Sequence, residues 1–128
     1  MNAKNGWGDT AFHLACRDGH SIVVAILVQK SAELNIKLNT KNENGLTAFH
    51  LACMDGQSKV VEILLQKSVE FNIDLHAKSK YGLSAFHLAC YYGVSEVVEM
   101  LLLRSAELNI DLNLYAKNEF YITTNKQK

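Results

Sequence analysis

The residues best able to do chemistry recur as a pair three positions apart: His13 with Cys16, His50 with Cys53, and His87 with Cys90. Imidazole and thiolate are zinc ligands, and together they can also form a nucleophile and its base. Three residues is one helical turn, so each pair offers at most two ligands from one helix. Equivalent pairs on packed helices stand about 8–10 Å apart, whereas zinc needs every ligand within about 2.3 Å. No CxxC or HExxH accompanies them, and no third group repeats with them to orient a nucleophile. The expectation is no catalytic residue, no metal and no cofactor, with each cysteine filling a small core position.

The elements that carry these pairs are written in a repeat. Thr10-Ala11-Phe12-His13-Leu14-Ala15-Cys16 returns as Thr47 to Cys53 and as Ser84 to Cys90, with a step of 37 residues each time. Gly19, Gly56 and Gly93 keep the step, as do Asn35, Asn72 and Asn109. Thr10, Thr47 and Ser84 are suited to cap a short helix, and the glycines to end it. Ser21, Ser58 and Ser95 then read as caps of a second helix, whose buried stripe is best seen in Val60, Val61, Ile63, Leu64 and Leu65. About ten polar, extended residues lead on to the next unit. One helix pair cannot bury both its faces, but stacked pairs can.

Composition narrows the function. Of 128 residues, 48% are hydrophobic and 20% charged, which suits a folded soluble chain. Thirteen basic and thirteen acidic residues give zero formal net charge, so the electrostatic term that drives nucleic-acid binding is missing. The polar start, Met1 to Thr10, reads as no secretory signal, and the apolar run Ile22 to Val28 is too short for a bilayer. Three cysteines, an odd number, fit a reducing compartment. No nucleic acid and no membrane are expected as partners, and the expected address is cytoplasmic, with the nucleus as alternative.

Gly45-Leu46-Thr47-Ala48-Phe49-His50-Leu51-Ala52-Cys53, then Gly56, then Val60-Val61 and Leu64-Leu65, resembles the ankyrin repeat. The resemblance implies an all-α solenoid of stacked helix pairs with projecting β-hairpin loops and a concave face that grips proteins. One domain is expected over 1–122, with repeats at about 6–42, 43–79 and 80–116. A degenerate fourth-repeat start and polar tail would occupy 117–128. The family proline is replaced by Ala11, Ala48 and Ala85, which suit the helix start. The glycine that usually ends the outer helix is Ser31, Ser68 and Ser105. The period of 37 exceeds the family's 33, which implies four extra residues around Leu34-Asn35-Ile36-Lys37 and its copies. They would lengthen the outer helix or the loop after it.

The family places partner contacts at hairpin tips and at the end of the first helix, positions that vary here while the scaffold repeats. They are Trp7, Asp9, Arg17 and Asp18; Asn44, Leu46, Met54 and Asp55; and Tyr81, Leu83, Tyr91 and Tyr92. Aromatic, Arg and Met side chains are apt interface anchors. The resemblance therefore implies non-catalytic binding of another protein. The alternative is a structural or self-assembling unit, or a piece of a longer array, because Ile22 and Ala25 stand where other repeats carry Lys59 and Glu62 or Glu96 and Glu99.

Overall fold

The structure is a computed structural model, and it describes residues 2–108. Each repeat opens with a short inner helix: α1 (Ala11–Arg17), α4 (Ala48–Met54) and α6 (Ala85–Tyr91). Thr10, Thr47 and Ser84 cap them, and each hydroxyl accepts from the backbone N–H of the histidine three residues on. The same histidine ring accepts from the cap residue's own N–H, so two orphan amides are satisfied reciprocally. The inner helices end two residues before Gly19, Gly56 and Gly93, which turn the chain at φ of 68–76°.

The outer helices follow: α2 (Ser21–Gln29) with α3 (Ser31–Leu34), then α5 (Ser58–Lys67), then α7 (Ser95–Leu108). Ser21 and Ser58 do not cap them, contrary to the sequence expectation. His20 and Gln57 hold the cap positions without a side-chain cap bond, and the serines already lie in the first turn. Ser58 Oγ instead donates to Glu96 Oε1 in the next repeat at 2.7 Å.

The four extra residues add one turn beyond the family's outer-helix end, although in the second repeat α5 itself stops at Lys67 and the added residues are turn, not helix. Where the family glycine would end it, Ser31 and Ser68 are buried, and their hydroxyls donate back to the carbonyls of Val28 and Leu65 at 2.7 and 2.9 Å. The chain turns once more and stops at Asn35 and Asn72, which adopt left-handed φ values of 55° and 56°. Ile36 N–H and Ile73 N–H close the turn onto Ser31 O and Ser68 O, both at 2.9 Å. In the first repeat the extra turn is the separate α3, whereas α7 runs unbroken through it to Leu108.

Inner helices stack on inner helices and outer on outer, giving two layers with one continuous core. The inner seam is built from small residues, with Ala48, Ala52, Cys53 and Ala89 fully buried, which lets the backbones approach closely. Val60, Val61, Leu64 and Leu65 bury the inward stripe of α5, and Lys59 and Glu62 face out.

The projecting loops carry no strand among the described residues, so the expected β-hairpins are present only as turns. Asn42 closes its loop by accepting from Asn44 N–H and Leu46 N–H at 2.9 and 3.0 Å. Asn5 and Ser79 do the same in the flanking loops. Successive tips touch through one backbone bond each, Glu43 N–H to Trp7 O and Lys80 N–H to Asn44 O. A β-ladder needs a run of such bonds, and one per interface does not make it.

Candidate functional site

The histidines serve the scaffold. His50 Nδ1 accepts Thr47 N–H at 3.0 Å, which leaves the proton on Nε2, where it donates to Leu83 O at 3.1 Å. His13 makes the matching bond to Leu46 O at 2.9 Å. Each therefore ties its own helix cap to the loop entering the next repeat. Burial pushes His50 down to about 4, so the neutral ring is held near neutral pH. Cys16 and Cys53 are fully buried, and burial pushes both thiols up, away from the reactive thiolate. Cys90 is exposed. No group of three metal-ligating side chains occurs among the described residues.

Seven of the twelve expected contact residues line one groove of about 470 Å³ between the second and third repeats: Asn44, Leu46, Met54, Tyr81, Leu83, Tyr91 and Tyr92. The loops carrying Asn44 and Tyr81 form one end. The C-terminal ends of α4 and α6, with Met54, Tyr91 and Tyr92, form the other. Tyr91 and Tyr92 meet edge to face with centroids 5.0 Å apart, and both stay more than half exposed. The Lys80 ammonium lies 5.8 Å from the centre of the Tyr81 ring, within cation–π range.

Ser79 and Leu88 also line the groove but are absent from the sequence-derived set. Leu88 repeats as Leu14 and Leu51, so its sequence reads as scaffold. The variation of its neighbours is what opens the groove there.

The other five residues lie elsewhere. Trp7 is 71% exposed at the tip of the first loop. Arg17 Nε and Asp18 Oδ1 pair at 3.1 Å on the end of α1, and each holds the other in its charged form. Asp55 is exposed beside Met54, and partial burial raises its carboxyl, opposed by the Arg17 charge. Two positions of the set are not free surface. Asp9 is buried and accepts from Asn42 Nδ2 at 2.9 Å, so its carboxylate links one loop to the next. Leu83 is buried to 9% exposure, so it forms the floor of the groove and leaves the tip to Tyr81.

Two further grooves, of about 640 and 610 Å³, flank the extra turns around Asn35 to Thr40 and Ser68 to His76. Asn39 crosses between them. It donates to Asn72 O at 2.9 Å and accepts from Asp74 N–H at 2.8 Å, and Asn2 makes the equivalent pair of bonds to Asn35 O and Lys37 N–H. The lengthened period was the only sequence sign of this feature.

No helix among the described residues is long and apolar enough to cross a membrane. No curated protein matches the chain. The pattern of the family described as ankyrin repeats, in three copies, matches residues 1–74 and, overlapping, 34–115. That match covers most of the chain and agrees with stacked, Thr/Ser-capped helix pairs, so the chain belongs to the ankyrin-repeat family.

Proposed function

We propose that this chain is a non-catalytic protein-interaction module, as ankyrin repeats in general are, binding its partner through the groove between the second and third repeats and the adjoining loop tips. The observation that carries the reading is the gathering of Met54, Tyr81, Tyr91 and Tyr92 on one exposed surface. Bulky, semi-rigid aromatics lose little entropy on contact and dominate interface energetics. The scaffold beneath them is fixed by buried caps, so little ordering is left to be done on binding.

Affinity capture from a lysate of the source cell tests this, comparing the natural chain with a Met54→Ala, Tyr91→Ala, Tyr92→Ala variant of matched stability. A protein retained by the first and lost by the second supports the reading. Equal retention by both sinks it.

A second surface supports self-association through the first repeat as the alternative. Ile22 is 76% exposed, Val23 47% and Ile26 55%, whereas Val60 and Val97, the equivalents of Val23, are fully buried. A mass that stays monomeric across a wide concentration range would dispose of this alternative.

A further inference from the structure

The contact between neighbouring repeats is built twice within the chain, and each end of the stack presents one half of it. On its leading side each repeat offers four apolar positions. In the second repeat these are Ala48, Val60, Ile63 and Leu64, and in the third Ala85, Val97, Met100 and Leu101. Both sets lie under the preceding repeat, α1 on α4 and α2 on α5, then α4 on α6 and α5 on α7, and their Ala, Val and Leu members are buried. The first repeat carries the matching set as Ala11, Val23, Ile26 and Leu27, yet Ala11, Val23 and Ile26 are exposed and Leu27 is only half-buried. On the trailing side, Cys16, Val24 and Val28 of the first repeat and Cys53, Val61 and Leu65 of the second are buried beneath the repeat that follows. Their third-repeat equivalents open outward. Cys90 is exposed, Val98 half-buried and Leu102 48% exposed, around a groove of about 640 Å³.

We propose that copies of this chain associate head to tail, the third-repeat face of one covering the first-repeat face of the next, in the packing that already joins the first repeat to the second and the second to the third. The inference rests on the self-association reading of the first repeat and names the surface that meets it. Both internal interfaces pair a leading set with a trailing set, and neither pairs two leading sets, which is what a two-fold dimer through the first repeat would require. The outer-helix part of the leading face is also easily desolvated, because α2 from Ser21 to Gln29 holds no charged residue. Such a contact is heterologous: each copy keeps one open face, so copies add end to end instead of stopping at two.

Sedimentation velocity across a wide concentration range follows the full chain and two variants, Val23→Glu and Leu102→Glu, each altered on one exposed face and matched to the natural chain in helical signal and unfolding midpoint. The natural chain should form a ladder of dimers, trimers and longer species. Self-contact in either variant would bury an unpaired carboxylate, so its association should weaken about a hundredfold or more. An equimolar mixture should restore a dimer and stop there, because the intact first-repeat face of Leu102→Glu meets the intact third-repeat face of Val23→Glu. In the natural ladder Cys90 is covered as Cys16 and Cys53 are, so its reaction with a thiol reagent should slow as concentration rises. Leu102→Glu chains that still dimerise, a mixture that stays monomeric, or a rising mass with no change at Cys90 overturn the proposal and leave the first-repeat reading standing. A natural chain that stays monomeric, or Val23→Glu chains that still associate, overturns both.

Discussion

His50 and Leu83 are joined across a repeat boundary: the imidazole Nε2–H donates to the Leu83 carbonyl at 3.1 Å while Nδ1 accepts from Thr47 N–H. One side chain thus completes a helix cap in the second repeat and fixes the entry to α6 in the third. Leu83 in turn floors the groove between the second and third repeats, so the geometry of the groove depends on this bond.

His50→Leu keeps an apolar side chain of similar bulk but strands the Thr47 N–H and the Leu83 carbonyl in a buried setting. Each unsatisfied group costs about 1–3 kcal/mol, so a loss of roughly 3 kcal/mol in unfolding free energy is expected. Denaturant unfolding of the two chains measures it directly. A loss below about 1 kcal/mol would mean that the cross-repeat bond contributes nothing beyond packing.

The same residue sets a pH dependence. Burial lowers His50 from its ordinary value of 6.5 to about 4, so between these values the unfolded chain binds the proton and the folded chain does not. Stability therefore rises with pH across that window, is fully present above about 6.5, and is lost as pH falls toward 4. The shift corresponds to something on the order of 3 kcal/mol. Asp55 works in the opposite sense, since its raised carboxyl takes up a proton more readily in the folded chain. Unfolding curves of the natural chain and His50→Leu at pH 7 and pH 4 separate the two effects. The variant should lack the His50 part of the decline.

Gly45 and Gly93 both have positive φ, at 74° and 68°, yet an added methyl meets different surroundings. At Gly45 it would lie 2.5 Å from Lys80 N and 3.0 Å from Ser79 C, both backbone. At Gly93 nothing lies within 4 Å. Gly93→Ala should cost about 1–2 kcal/mol, the strain of a left-handed residue alone. Gly45→Ala should cost more, because the Lys80 N–H to Asn44 O bond between loop tips must give way. Equal midpoints for the two variants would show that the tips are not held against each other.

Much of this architecture was legible because its determinants are local. Thr47 stands directly before the apolar run of its helix, so its cap can be read locally, whereas the histidine's bond across the turn came with the family resemblance. The 37-residue period likewise required extra chain beside Ser68. Hydroxyl spacing misled at Ser58, because the turn at Gly56 gives the cap position to Gln57, whose Nε2 donates to Arg17 O at 2.8 Å in the preceding repeat. Asp9 was read as surface for the same reason: its partner, Asn42, is 33 residues away, and nothing local announces the bond. The groove was mostly visible in Met54, Tyr81 and Tyr91, where side chains break the repeat. Leu88 was invisible, since it obeys the repeat and is opened only by its neighbours.

The three cysteines should separate by reactivity. Cys90 is exposed, whereas its equivalents Cys16 and Cys53 have no exposed surface. A thiol reagent should therefore label one site in the folded chain and all three in denaturant. Partial burial raises the Cys90 thiol, so its labelling should quicken as pH rises through neutrality and beyond, following the thiolate fraction. Cys53 reacts only after the α1–α4–α6 seam opens, so its rate follows the free energy of that opening. His50→Leu should accelerate it by about a hundredfold if opening falls by roughly 3 kcal/mol and reclosing outruns labelling. Rapid labelling of Cys53 in the natural chain would mean that the inner seam opens locally, and that the rigid floor required beneath Tyr91 and Tyr92 is not there.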